Sequence, residues 1–405
     1  MKKKALKLFV FALAISLVST SCEKDSDTEP TSEPTPESTE ITVSENITSN
    51  TTWETGKTYT LASRIAVVDG ITLTIQPGVI VKGEAGSGTN ATALVIAQGA
   101  KIMAEGTAAA PIIFTSIADE IIPGEIESPN LNTDLNGLWG GLIVLGKAPI
   151  SPKSNGITSQ IEGIPTSDAN GLYGGSTADD NSGVIKYVSI RHGGTNIGQD
   201  NEINGLTLGG VGSGTVIENI EIVANQDDGI EFFGGTVSVK NALVLNNGDD
   251  AIDTDQAWAG TLDNFMVINP GDKAFELDGP EGTYTGAGHT IKNGTVYMLS
   301  CAGGYDDDDN TNAIVSNILF TKITHNTGMS NDYNANGSFT CSGLEFDITP
   351  VDLDDDSNTP DEAPVASDYF ADMTNGEITE VTTASVGADK SVFTGWTAAD
   401  KAGEL

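Results

Sequence analysis

Five stretches of this chain repeat one short pattern, an aliphatic residue, any residue and then asparagine: Ile217-Glu218-Asn219, Val239-Lys240-Asn241, Leu262-Asp263-Asn264, Ile291-Lys292-Asn293 and Val315-Ser316-Asn317. Their asparagines stand 22, 23, 29 and 24 residues apart. A second register keeps step with the first, because DDGIEFF (227–233), DDAIDTD (249–255) and DKAFELD (272–278) follow one another by 22 and 23. A period of this size marks stacked supersecondary units, each too small to close a core of its own.

Within each unit apolar and polar residues alternate, as in Ile220 and Ile222 or Ile230 and Phe232, which is the period of a strand with one buried face. Stacked as a coil, each strand pairs with its equivalents above and below at roughly 4.8 Å. Asparagine suits the bend between two strands because it tolerates the left-handed backbone region. The expected fold is therefore all-β, a right-handed, single-stranded parallel β-helix. Toward the N-terminus, LTIQPGVIVKG (73–83) and LVIAQGAKIMAEG (94–106) place Gly78 and Gly99 21 residues apart. PIIFTS (111–116) and GLIVLGKAPI (141–150) read as further rungs. VIKYVSI (184–190) lines up with VIENIEI (216–222), and INGLTLGG (203–210) with DGIEFFGG (228–235). Residues 58–348 thus hold roughly ten coils, interrupted by polar, glycine-rich insertions at 117–136 and 151–183. An open solenoid needs covered ends, for which residues 41–60 and 364–405 are the candidates, the latter within a segment 349–405 that opens on an acidic loop.

The N-terminus carries an address. Lys2, Lys3, Lys4 and Lys7, an apolar run from Leu8 to Val18 and the small residues Ser19, Thr20 and Ser21 make residues 1–21 an export signal. Cys22, directly after them, resembles the acylation site of bacterial lipoproteins, which implies a lipid anchor in a membrane without a spanning helix. Residues 23–40 hold three prolines and no large apolar side chain, so the segment 22–57 starts as a disordered tether. Its opening, Glu23-Lys24-Asp25-Ser26-Asp27, resembles the acidic export signal of surface lipoproteins in the Bacteroidota, implying the outer membrane and its exterior face.

The formal net charge is −38, which disfavours nucleic acid and anionic headgroups as partners and favours cations. The sequence contains two arginines, Arg64 and Arg191, too few for the usual recognition of an acidic polymer. Cys301 and Cys341 could form one disulfide or remain two reduced core residues.

The aligned coils carry three columns of charge: Asp227, Asp249 and Asp272; Asp228 and Asp250 followed by Lys273; and Glu231, Asp253 and Glu276. Because Ile230 and Phe232 face inward, Glu231 and its equivalents face out. Like charges stacked about 5 Å apart repel by roughly 1 kcal/mol or more each. Solvent can screen this, or a hard cation can sit among them, as Ca²⁺ prefers. The candidate ligands are Asp227, Asp228, Asp249, Asp250, Asp253, Asp255 and Asp272. Two further acidic stretches resemble parts of calcium loops, Asp332 to Gly337, with Gly343 where an EF-hand has Glu, and the alternating Asp352, Asp354, Asp356 and Asn358, with no glycine at the bend. Asp306 to Asp309 is a plain acidic run, and each of the three reads equally as a solvated loop. An outward face of Glu231, Asp253 and Glu276, with Trp258 beside it and Tyr284 and Tyr305 near, would hold a neutral glycan through polar and stacking contacts; equally, these aromatics would cover the coil edge.

GLWGGLIVLGKAPI (137–150), IEGIP (161–165), GVIKYVSIRHGGTNIG (183–198), NEINGLTLGGVG (201–212), DDGIEFFGG (227–235) and GDDAIDTDQAW (248–258) resemble a Bacteroidota family of predicted parallel β-helix surface lipoproteins, pectate-lyase-like in fold. Members are sometimes labelled transporters, yet beyond the signal this chain has no apolar run long enough to span a bilayer. Gly248-Asp249-Asp250 resembles the paired-aspartate motif of the polygalacturonase family, which implies an acid and a water-activating base drawn from Asp228, Asp249 and Asp250. That family's His-containing and Arg-x-Lys motifs are absent, and Gly288-His289 is a fragment of the former. A lyase would draw on Arg191 beside His192. The expected function is a Ca²⁺-supported β-helix that binds a glycan or an outer-membrane receptor protein, with polysaccharide hydrolysis or lysis as the alternative.

Overall fold

The computed structural model describes residues 39–197, 203–299, 303–307, 310–323, 339–351, 363–368, 370 and 377–405. Thr39–Leu405 forms one compact unit. Cys22, Cys301, Asp308, Asp309 and the calcium-like stretches 332–337 and 352–358 lie outside the described residues.

The alternation in the repeats becomes two sheets of parallel strands around one interior. A 15-stranded sheet runs from Glu40–Val43 through Thr58–Leu61, Ile80–Gly83, Ile112–Ser116 and Gly183–Arg191 to Val216–Val223 and Val239–Leu245. It continues with Thr261–Ile268, His289–Tyr297, Ala313–Thr321, Thr340–Asp347 and Ile378–Val381. The second sheet has eight strands, Arg64–Val67, Ala93–Ile96, Leu142–Leu145, Leu206–Gly209, Ile230–Phe233, Ile252–Asp255, Lys273–Leu277 and Gly303–Asp307. Ile230 pairs with Ile252 and Ile252 with Phe275, so each inward column is continuous and dry, with Phe232, Ile220, Val244 and Phe265 wholly buried. The protein is a parallel β-helix.

The asparagine column sits where the long strands bend. Asn219, Asn241, Asn264, Asn293 and Asn317 all have φ between 57° and 61°, the left-handed region that asparagine enters at less cost than most residues. Their side chains form a ladder: Asn241 donates to Asn219 at 2.9 Å, Asn264 to Asn241 at 2.8 Å and Asn317 to Asn293 at 3.1 Å. Tyr187, opposite the first of these in the register, takes the same conformation.

Four expectations need correction. The segment 41–60 is not a separate cap but the first coil, since Glu40–Val43 pairs with Thr58–Leu61 and Thr51–Trp53 with Leu73 to Ile75; Glu40–Val43 and Ile378–Val381 each add a rung beyond the ten that the long sheet's path has within residues 58–348, the number expected there. Gly78 and Gly99 are not equivalent, because Gly78 N–H donates to Ala110 and Gly70 N–H to Gly99. INGLTLGG and DGIEFFGG do not match block for block: Leu206 stands opposite Ile230, which places Asn204 in the column of Asp228. The last twenty residues do not close the end of the coil but run back along its flank as a strap. Ser385 N–H donates to Glu345 at 2.7 Å, Ala388 N–H to Thr295 at 2.9 Å, Asp389 N–H to Asn264 at 2.6 Å and Ala399 N–H to Glu221 at 2.9 Å. Phe393 and Trp396 of the strap are buried against Leu243, Met266 and Tyr297, a second apolar layer outside the coil.

The two insertions also cover the coil. Ile161, Ile164 and Tyr173 from 151–183 pack with Val95, Ile143, Leu145 and Phe233 on the outer side of the eight-stranded sheet. A Cβ on Gly209 would stand 3.0 Å from the Tyr173 ring, so glycine there lets the insertion close down. The insertion 117–136 lies on the other sheet, held by Arg191 Nη1 to the Ile126 carbonyl at 2.6 Å and Asn246 Nδ2 to Asp134 at 2.9 Å.

Candidate functional site

One outward column of the eight-stranded sheet changes character along its length. The register links Ala66, Val95, Ile143, Thr207, Glu231, Asp253, Glu276 and Asp306 in that order. The first members are apolar and lie against the insertion; the last are acids. Glu231, Asp253 and Glu276 therefore do stack on one face, pointing away from Ile230 and Phe232.

That face is not open to solvent. Glu231 is 6 % exposed and Asp253 9 %, with only Glu276 half-buried. Asn204, itself 1 % exposed, donates through Nδ2 to Glu231. Asp228, Glu231 and Asp253 bring one carboxylate oxygen each to within 4.8 Å of one another. Two further trios share members or neighbours with this one, Asp227 with Asp228 and Asp249, and Asp249 with Asp250 and Asp272. An Asp253 oxygen and the Asn204 carbonyl oxygen are buried without a hydrogen-bond partner.

Burial is the first cause of the unusual acidity here. It pushes Asp228, Glu231 and Asp253 well above the ordinary carboxylate range, reinforced by neighbouring charges including Asp227 at Asp228, Glu162 of the insertion at Glu231 and Glu231 at Asp253. Burial likewise raises Asp250 to about 9 and, with Asp278 and Glu281 adding to it, Asp255 to about 8. Three buried carboxylates in contact must bind protons or a cation, since like charges out of water do not coexist ionised. Ca²⁺ sits 2.3–2.6 Å from each oxygen, so oxygens about 4.6–5.2 Å apart can share one ion from opposite sides. The trio lies within that reach, its donors are all oxygen, and Asp253 and the adjoining Asn204 each keep a buried oxygen without a hydrogen-bond partner, so the residues present fit part of the ion's oxygen shell.

Two of the candidate acids have a structural task. Asp228 Oδ1 accepts the backbone N–H of Asp250 at 2.9 Å, and Asp250 Oδ1 that of Lys273 at 2.5 Å. Each side chain thus joins its turn to the next, which explains the column of Asp228, Asp250 and Lys273 without hydrolysis. Asp255 belongs to the neighbouring outward column, opposite Phe233. Trp258 corrects the expectation of a stacking platform. It is 1 % exposed, lies flat against Phe232 with centroids 3.9 Å apart, and donates to the Val237 carbonyl at 2.9 Å. No glycan reaches it from solvent. Tyr284 is 45 % exposed and stands at the rim of a groove of about 360 Å³ with Ile150, Ser151, Asn155, Ile157 and Thr283.

Arg191 and His192 occupy another place, under the insertion 117–136. Arg191 is 1 % exposed and lies 3.7 Å from the buried carboxylate of Glu221. His192, at φ 60°, has Nδ1 2.6 Å from the Leu135 carbonyl. Sequence reasoning missed Glu221, although the alignment of 184–190 with 216–222 sets Ser189 opposite it, two residues from Arg191; it missed Asn204 because INGLTLGG and DGIEFFGG pair one residue out of the expected frame. Cys341, half-buried opposite Val315, is present as a thiol.

Among the described residues no helix is long and apolar enough to cross a membrane. Among curated proteins none matches this sequence. A solved structure, the enzymatically active domain of tailspike protein 2 from bacteriophage CBA120, is similar at 12 % identity and a TM-score of 0.25, covering 81 % of this chain and 48 % of that one. The chain spans about half of that domain, and a likeness this distant carries no argument about function. Residues 45–399 match the pectate-lyase-like β-helix domain, and the chain belongs to that family.

Proposed function

We propose that this chain is a lipoprotein, anchored through Cys22 to the outer membrane and facing the exterior, whose β-helix holds Ca²⁺ and binds a glycan. Asp228, Glu231 and Asp253 hold the ion, with Asn204 supplying a neutral oxygen. The observation that carries the reading is the approach of the insertion 151–183 to this trio at Glu231. Its Glu162 adds charge beside Glu231, and its Tyr173 hydroxyl bonds Gln256 at 3.2 Å. Its first loop walls the groove at Tyr284, with Thr283 N–H donating to Asn155 at 2.8 Å. A cation under the insertion would neutralise the repulsion that otherwise lifts it, and so hold the groove in one shape. An exposed aromatic ring beside hydroxyl and amide groups suits the two sides of a sugar.

Binding of the mature chain to a glycan array in Ca²⁺ and in chelator tests the reading. Retention of a neutral glycan in Ca²⁺, its loss in chelator and its loss in Tyr284→Ala are expected. Release of new reducing ends or of an unsaturated product from the bound glycan would instead make the protein an enzyme. Unchanged binding in chelator would remove the cation from the account.

A further inference from the structure

A second cavity, of about 370 Å³, lies on the other sheet between the insertion 117–136 and the end of the strap, lined in part by Arg191, His192, Leu131, Asn132, Ala398 and Ala402. Small-molecule sites run from about 300 Å³ upward, so this one suits a single sugar residue or two. Its polar groups are fixed by the residues around them. The Arg191 guanidinium donates through Nε to Ser189 Oγ at 2.7 Å and through Nη1 to the Ile126 carbonyl at 2.6 Å. Its Nη2 is buried with no hydrogen-bond partner and, among the described residues, is at ion-pair distance from Glu221, 3.7 Å away. Glu221 is itself wholly buried and held, Oε2 by Ser189 Oγ at 2.5 Å and Oε1 by Ala399 N–H at 2.9 Å. The guanidinium charge is thus matched inside the protein, while one of its donors is left over.

His192 offers the complement. A carbonyl oxygen only accepts, so the Nδ1 facing Leu135 carries the ring proton and Nε2 is left as an acceptor. Burial lowers the pKa of this imidazole, which keeps it neutral.

We propose that this cavity binds one neutral sugar residue, the end unit of the glycan, through two of its hydroxyls: one accepts from Arg191 Nη2 and the other donates to His192 Nε2. A carboxylate set against His192 Nε2 has no proton to give it and would meet Glu127 in the wall, so inorganic anions, and uronic acids seated by their carboxylate, are disfavoured. Leu131 and Ala398 supply apolar wall for the C–H face of the ring. The proposal rests on the glycan reading above but concerns a separate site, closed on one side by the last residues of the chain.

Calorimetric titration of the mature chain with glucose, galactose, mannose, xylose and fucose, with glucuronate, galacturonate and sulfate in parallel, tests it. At least one neutral sugar should bind saturably. Ala402→Trp, an exposed position at the mouth, should weaken that sugar at least tenfold without lowering the melting temperature. Asn132→Trp, from the opposite wall, replaces it if the first variant unfolds. The proposal is overturned if none of the five sugars binds, if a uronate or sulfate binds more tightly than all of them, or if the plugged variant binds as the parent does. Glycan-array binding that survives Ala402→Trp and disappears in Tyr284→Ala would leave the groove reading intact and remove only this one.

Discussion

Oδ1 of Asp228 accepts the backbone N–H of Asp250 one coil further on, at 2.9 Å, although both side chains are buried and acidic. The carboxylate does for a turn what a ladder bond does for a strand, and the N–H it meets has no water to turn to. Asp228→Ala should therefore cost about 1–3 kcal/mol in urea unfolding in chelator, the usual loss for an orphaned buried donor. Asp228→Asn, which keeps an acceptor in place, should cost less. Equal damage from both would mean that the bond to Asp250 is not the contribution of this side chain.

The raised acidities predict a reversed pH dependence. A carboxylate whose pKa is higher folded than unfolded keeps the fold more protonated than the open chain, so stability falls as pH rises from the ordinary range near about 4 through the folded values. For Asp250 and Asp255 these are about 9 and about 8, and Asp228, Glu231 and Asp253 move the same way. Thermal melts in chelator should show the protein more stable at pH 5.5 (about 1.5 units above the unfolded range) than at pH 9. In Ca²⁺ the dependence should flatten, because the ion replaces the protons. A melting temperature that rises with pH in chelator would contradict the buried-acid picture.

The asparagine ladder separates conformation from hydrogen bonding. Asn241 has φ 58°, donates to Asn219 and accepts from Asn264. Asn241→Ala loses both bonds and strains a left-handed backbone, for a combined loss of about 2–4 kcal/mol. Asn241→Gly relieves the strain alone, and should recover about 1 kcal/mol of it. Chemical denaturation of the three proteins distinguishes the contributions, and alanine equal to glycine would deny the backbone share.

The strap should behave as part of the fold. Trp396 is wholly buried and meets the Tyr187 ring edge-on with centroids 5.4 Å apart. Trp396→Ala should cost about 3–5 kcal/mol and speed proteolysis after residue 384. If the variant melts with the parent, the strap is not a structural element.

The coil was legible because its bends and outward acids repeat: Asn219 to Asn317 fix one column, and Glu231, Asp253 and Glu276 another, each one coil from its neighbours. Whether those acids meet water was not legible. The insertion that brings Glu162 and Tyr173 beside Glu231 lies far along the chain and outside the period, and the apolar half of the same column, Val95 and Ile143, covered by Ile161 and Ile164, signals a covered face only once the register is known. Trp258 follows an acid row in sequence but turns inward after Asp255, a direction set by its bond to Val237. The strap carries no repeat, and nothing in residues 385–405 distinguishes an end cap from a flank cover until Glu221 is seen to receive Ala399 N–H.

Calcium titration of the chelator-stripped chain, read by calorimetry and by melting temperature in the parent and in Asp253→Asn, tests the buried-acid site most directly. The parent should bind Ca²⁺ saturably and gain about 2.7 kcal/mol of stability at one hundred times the dissociation constant, and Asp253→Asn should lose that gain while being no less stable than the parent in chelator. Equal melting temperatures for the parent in Ca²⁺ and chelator, or an equal Ca²⁺ gain in both proteins, would contradict the account.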